Sequence, residues 1–147
     1  ASHNTNQVLR YQEDGTFVGV FAGAGNDASG LTSPWSVAYG PDGLLYVSSN
    51  ASGNGGVYRY NGATGAFVDK FAATAGRARG VAFDSTGNLY VTDFDNSVVA
   101  VFDPAGVHLG NLNTSGGGTP LVMPIGIAID ASVRTSSTSP FSLAWTP

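Results

Sequence analysis

The sequence predicts an all-β chain made of β-propeller blades, and three observations carry that reading. First, a unit of about forty-five residues recurs: SPWSVAYGPDGLLYVSS at 33–49 returns as RARGVAFDSTGNLYVTD at 77–93, and its opening returns as MPIGIAID at 123–130. Gly43 and Gly87 stand 44 residues apart, and Val37, Val81 and Ile127 are spaced by 44 and 46. Second, the unit is filled with short apolar runs and has no helical stripe. Third, glycine-bearing turn signals separate those runs at the spacing that four-stranded blades need.

The elements follow in order. An outer pair of strands lies in NQVLRYQEDGTFVGVF at 6–21, and the same pair returns as GGVYRYNGATGAFVDKF at 55–71 and SVVAVFDPAGVHLGNL at 97–112. Tyr11, Tyr60 and Phe102 correspond, as do Gly15, Gly65 and Gly106, and Phe21, Phe71 and Leu112. One complete blade is expected near 36–39, 44–48, 56–61 and 66–71, and a second near 80–83, 88–92, 98–102 and 107–112. Gly-Pro-Asp-Gly at 40–43, Asp-Ser-Thr-Gly at 84–87, Asn-Gly-Ala-Thr-Gly at 61–65 and Asp-Pro-Ala-Gly at 103–106 supply hairpin turns. Gly-rich links at 22–33, 72–78 and 113–122 step from the rim of one blade to the axis of the next.

Within the innermost strand Ala38, Ala82 and Ala128 alternate with larger neighbours, so stacked blades set small residues against large ones. Alternation blurs in LLYV and NLYV, as it does when both faces of a sheet are covered.

Composition excludes several functions. Of 147 residues, 42% are hydrophobic and 11% aromatic, enough for a core, while 11% are charged and the net charge is −4. The six basic residues are scattered, so no patch matches a run of phosphates and nucleic acid is not an expected partner. No apolar run approaches the roughly 20 residues needed to span a bilayer, so membrane insertion is not expected either. The absence of cysteine removes disulfides and thiolate metal sites. Acidity, low Lys and abundant Ser, Thr, Asn and Gly lean toward a secreted, extracellular bacterial protein.

GVAFDSTGNLYVTDFDNSVVAVFDPAG at 80–106 resembles the unit of NHL-repeat propellers, and YGPDGLLYVSS, NTNQVLRY and GATGAFVDKF are similar to a secreted bacterial subgroup of them. The resemblance covers residues 1–130 and implies a six-bladed ring, of which this chain supplies roughly half. Residues 1–33 hold the outer half of a split blade, 34–77 and 78–122 are complete blades, and 123–130 is the innermost strand of the split blade. Residues 131–147 form a Ser/Thr-rich tail in which 140–145 is a candidate closing strand.

Three blades cannot close a ring, and open sides would expose apolar blade faces. A homodimeric ring, a head-to-tail filament, and membership in a longer propeller each answer that need. The expected mode of action is therefore non-catalytic: self-association, with a protein or glycan as possible further ligand.

Candidate chemistry is sparse. Trp35 and Arg79 are the prominent side chains of the axial segments, Arg79 suited to an anion and Trp35 to stacking on a sugar ring. Asp93, Asp95 and Asn96 in TDFDNS are hard oxygen ligands that fit Ca²⁺, the one cofactor considered, but the favoured reading is a turn tied by its own side chains. His108, aligned with Phe17 and Phe67, suits rim packing, and the repeated Arg10 and Arg59 suit a stem on the sheet with the head in water. Related gluconolactonases hold a divalent metal with Glu, Asn and Asp. The single glutamate here, Glu13, falls in an outer hairpin, so a metal-dependent lyase or hydrolase is the competing expectation with its first ligand missing.

Overall fold

The computed structural model describes residues 1–23, 29–112 and 120–130. The candidate strand at 140–145 lies outside the described residues, as does the rest of the tail. Ten strands form three antiparallel sheets. A half-blade pairs β1 (Gln7–Tyr11) with β2 (Phe17–Gly23). The first full blade runs in chain order through β3 (Pro34–Tyr39), β4 (Leu44–Ser49), β5 (Gly56–Asn61) and β6 (Phe67–Ala73). The second repeats this with β7 (Ala78–Phe83), β8 (Leu89–Asp93), β9 (Val98–Phe102) and β10 (His108–Leu112). The repeat thus places each strand within about two residues of its sequence-based position.

The turn signals close these hairpins. Asp42 accepts from the Leu44 amide at 3.1 Å, and Asp84 accepts from the Thr86 and Asn88 amides at 2.9 Å each. Such side-chain capture of the backbone is why both turns carry an Asp.

Period-two alternation sorts the core into seams. Leu45 and Val47 of β4, with Tyr58 and Tyr60 of β5, pack against Val8, Ala22 and Leu31. On the opposite face, Tyr46 and Val57 pack with Val81, Leu89, Val91, Ala100 and Phe102 of the second blade. Tyr46 lies between Phe71 and Phe83 at centroid distances of 5.2 and 4.8 Å, both edge-on. Arg59 departs from the expected head-in-water posture. Its Nε donates to Asp69 Oδ1 at 2.8 Å, and its guanidinium lies 4.7 Å over the Phe71 ring. The reason is the opposing Asp69 on β6, directly paired with Arg59 in register.

The glycine that repeats in the outer turn is a contact point between blades. A Cβ on Gly65 would sit 1.8 Å from the Phe21 carbonyl oxygen, and one on Gly106 would sit 2.9 Å from that of Phe71. Both adopt positive φ, +74° and +84°. The equivalent Gly15 has nothing within 4 Å, because no described outer strand precedes the half-blade.

The two ends of the stack differ. At the half-blade end, inner strands that would lie beside β3 are absent from the described residues, and Val37 and Tyr39 are 40% and 64% exposed. The repeat mate of Val37, Val81, is 7% exposed. Tyr11, Phe17, Val18 and Val20 of the half-blade are also exposed.

At the other end the expectation of an open face is corrected. Leu121, Ile127 and Ile129 pack on Tyr90, Val99 and Val101 and cover the outer face of the second blade. The expected strand at 124–130 has no ladder partner among the described residues. It nevertheless takes an inner-strand position. The Thr92 hydroxyl reaches the Ile125 carbonyl at 3.4 Å, just as the equivalent Ser48 hydroxyl donates to the Arg79 carbonyl.

Candidate functional site

Trp35 and Arg79, singled out separately from the sequence, meet at the axial end of the stack. Each is the second residue of an innermost strand, β3 and β7. The Arg79 guanidinium lies 4.4 Å over the Trp35 ring and 3.4 Å over the Phe94 ring. Arg79 Nε donates to Asn50 Oδ1 at 2.9 Å. His3 meets Trp35 edge-on at 5.7 Å. His3, Asn50 and Phe94 occupy one repeat position, just past the second strand of their blades, so a single site of the unit supplies three neighbours of the cluster.

Arg79 is only 9% exposed, yet no carboxylate pairs with it among the described residues. Burial first, and the nearby Arg77 charge second, hold its guanidinium below the usual arginine range, with Asp95 opposing. Contact with the two rings compensates part of that desolvation, because a guanidinium is weakly hydrated and stacks well.

Asp93, Asp95 and Asn96 form the turn that presents Phe94. Asp93, 3% exposed, accepts from the Gly76 amide at 2.9 Å, from the Asn96 amide at 3.1 Å and from the Asn96 side-chain amide at 2.9 Å. Asp95 accepts from the Arg77 amide at 3.0 Å and from Arg77 Nε at 2.9 Å. The Arg77 bonds hold the Asp95 carboxyl below the usual range and raise Arg77 in turn. Arg77 also lies 4.7 Å over Phe94. The oxygens that would bind Ca²⁺ thus act as acceptors for protein N–H groups, and no set of three or more His, Asp or Glu side chains converges among the described residues.

Glu13 is exposed in the turn between β1 and β2. A Glu, Asn and Asp metal set therefore does not fit this axial end, where the prominent side chain is a cation. His108 lies on the rim, 5.2 Å from the Phe102 ring and 2.9 Å from Asn111 Oδ1. An open groove of about 430 Å³ beside it is lined by Thr74, Asp93, Asn96, Phe102, His108 and Asn111. The sequence reading missed Phe94 and Asn50. Their shared repeat position next to the axial strands was the available signal.

Residues 76–102 match the NHL repeat. Among solved structures, the chain is similar to a gluconolactonase from Xanthomonas campestris described as important in glucose secondary metabolic pathways. The two share 30% identity with a TM-score of 0.56, over 75% of this chain and 35% of that one. The chain thus spans about a third of the length of that neighbour. No curated protein matches it. Its architecture is an NHL-like β-propeller, present in part.

Proposed function

We propose that this chain is a non-catalytic association module, acting outside the cell, whose incomplete propeller is closed head to tail by a second copy. The contrast between repeat mates carries the reading: Val81 is 7% exposed where a blade precedes it, and Val37 is 40% exposed where only half a blade does. Two further features support it. Gly15 lacks the carbonyl neighbour that Gly65 and Gly106 have, and by the repeat that neighbour would be Leu112 of a second copy. The 124–130 segment takes an inner-strand position at one end, while β1 and β2 form outer strands at the other, so the halves of one blade stand at opposite ends. Two copies of three blades give the six expected of this propeller class. Assembly would leave the axial loops free for a protein or glycan.

Light scattering on the purified chain, with Val20→Asp as control, tests the reading. Expected is a discrete dimer that falls to monomer in the variant. A monomer at about 100 μM with intact folding removes the proposal, since a ring-closing interface should be populated well below that concentration.

The likeness to a gluconolactonase favours a second reading, a metal-dependent hydrolase with Asp93, Asp95 and Asn96 as ligands. Their existing bonds weigh against it. A stoichiometric divalent ion in the purified protein, with melting lowered by chelator, would establish it instead.

A further inference from the structure

We infer that the in-plane edge of the Arg79 guanidinium is a binding site for the carboxylate of a small organic acid whose carbon body lies against Trp35. A guanidinium offers two faces and a planar rim of donors. Here the guanidinium lies over the Trp35 and Phe94 rings, and Asn50 takes the Nε donor. The two terminal nitrogens have no protein acceptor among the described residues, although the residue is 9% exposed and sits beside an acidic turn. The nearby arginines show what such a group does when a carboxylate is within reach: Arg59 pairs with Asp69 and Arg77 with Asp95. Arg79 alone of these three is held in place with its fork unfilled.

Two parallel N–H donors fixed in one plane match the two oxygens of a carboxylate. The two rings remove the freedom to turn away, so the ordering cost of binding is already met. Asp95 is close enough to act on Arg79, and the chain carries a net charge of −4, so a monoanion suits the site better than a dianion such as phosphate. Trp35, 39% exposed, leaves ring surface for an apolar or planar body attached to the acid. The groups involved come from β3, β7 and the turns after β4 and β8. All of them belong to one chain.

Benzoate, benzamide, inorganic phosphate and chloride, each titrated against the full ¹⁵N-labelled chain, test it. The readouts are the Trp35 indole and Arg79 Nε–H resonances, assigned with Trp35→Phe and Arg79→Lys. Expected is a saturable shift of both with benzoate, weaker binding of phosphate, and none with benzamide. Arg79→Lys keeps the charge but loses the planar fork, and its benzoate affinity should fall at least about tenfold. Should that variant fail to fold, Trp35→Ala, at a partly exposed position, is expected to weaken benzoate severalfold while leaving melting nearly unchanged. Equal binding of benzamide, non-saturating shifts shared with chloride, or unaltered affinity in the folded variants would overturn the inference.

Discussion

Val37 and Val81 hold the same place in successive blades, so truncating each to alanine compares two environments with one chemistry. Removing two carbons from a fully buried site costs about 1.6 kcal/mol at about 0.8 kcal/mol per methylene. For Val81, 7% exposed between two blades, that gives about 1.5 kcal/mol, plus about 0.5–1 kcal/mol for a cavity that packed sheets cannot collapse. For Val37, 40% exposed, the loss is about 1 kcal/mol with no cavity to add. Strand propensity changes equally at both sites and cancels. Val81→Ala should therefore be the worse by about 1–1.5 kcal/mol, or about 3–5 °C in melting temperature for a chain of this size. Urea unfolding followed by circular dichroism in dilute protein measures the gap directly. Repeating it at high concentration should narrow the gap, because Val37→Ala then also loses contacts with a second copy. Equal losses in dilute protein would mean that Val37 is covered within one chain, and the open-face argument would fail.

Three other expectations rest on single contacts. Asp93→Ala strands the buried Gly76 amide and the partly buried Asn96 amide and should cost about 1–3 kcal/mol by thermal or urea unfolding, whereas Asp95→Ala, at an exposed pair, should cost far less. Gly65→Ala drives a methyl into the Phe21 carbonyl and should unseat the half-blade, seen as loss of the β1 and β2 amide resonances. Gly15→Ala meets no neighbour and should show only the mild cost of a positive φ. Acid should destabilise the protein through Asp69 and Asp84. The Arg59 bond holds Asp69 below its ordinary 3.8, and in Asp84 burial pushes upward but the bonds from Thr86 and Asn88 prevail. Both groups are depressed in the folded state, so their contribution is present above about pH 4 and is lost as pH falls through their folded values. Asp69→Asn should flatten that slope modestly, since the pair is partly exposed.

The strands were legible because the signal repeats. Val37, Val81 and Ile127 fix a register that one blade alone would leave open, and Gly43 and Gly87 fix where the hairpins turn. The seams were legible for the same reason, through alternation of Ala38 and Ala82 with larger neighbours. The axial cluster was legible only in part. Trp35 and Arg79 stood out because few large polar groups lie near the axis, but stacking through Phe94 depends on how two blades rotate against each other, which no spacing encodes. Arg59 was misread because its partner Asp69 lies across a hairpin whose bulged register, shifted between Arg59 and Tyr60, decides who faces whom. The covering of the second blade by 121–129 was hidden because the inner-strand match of 124–130 does not say which residues Ile127 and Ile129 seal.

That seal is anchored chiefly by side chains, with the Ile125 carbonyl held by the Thr92 hydroxyl. Among residues 124–129 the isoleucines at 127 and 129 are gripped by a neighbouring sheet, while their peptide groups join no ladder among the described residues. Deuterium should therefore replace the amide protons there within the time typical of a loop, even as methyl relaxation at the same isoleucines reports core-like rigidity. Rigidity seen from the side chain and lability seen from the backbone, two measures that usually agree, would part company along a single stretch of polypeptide.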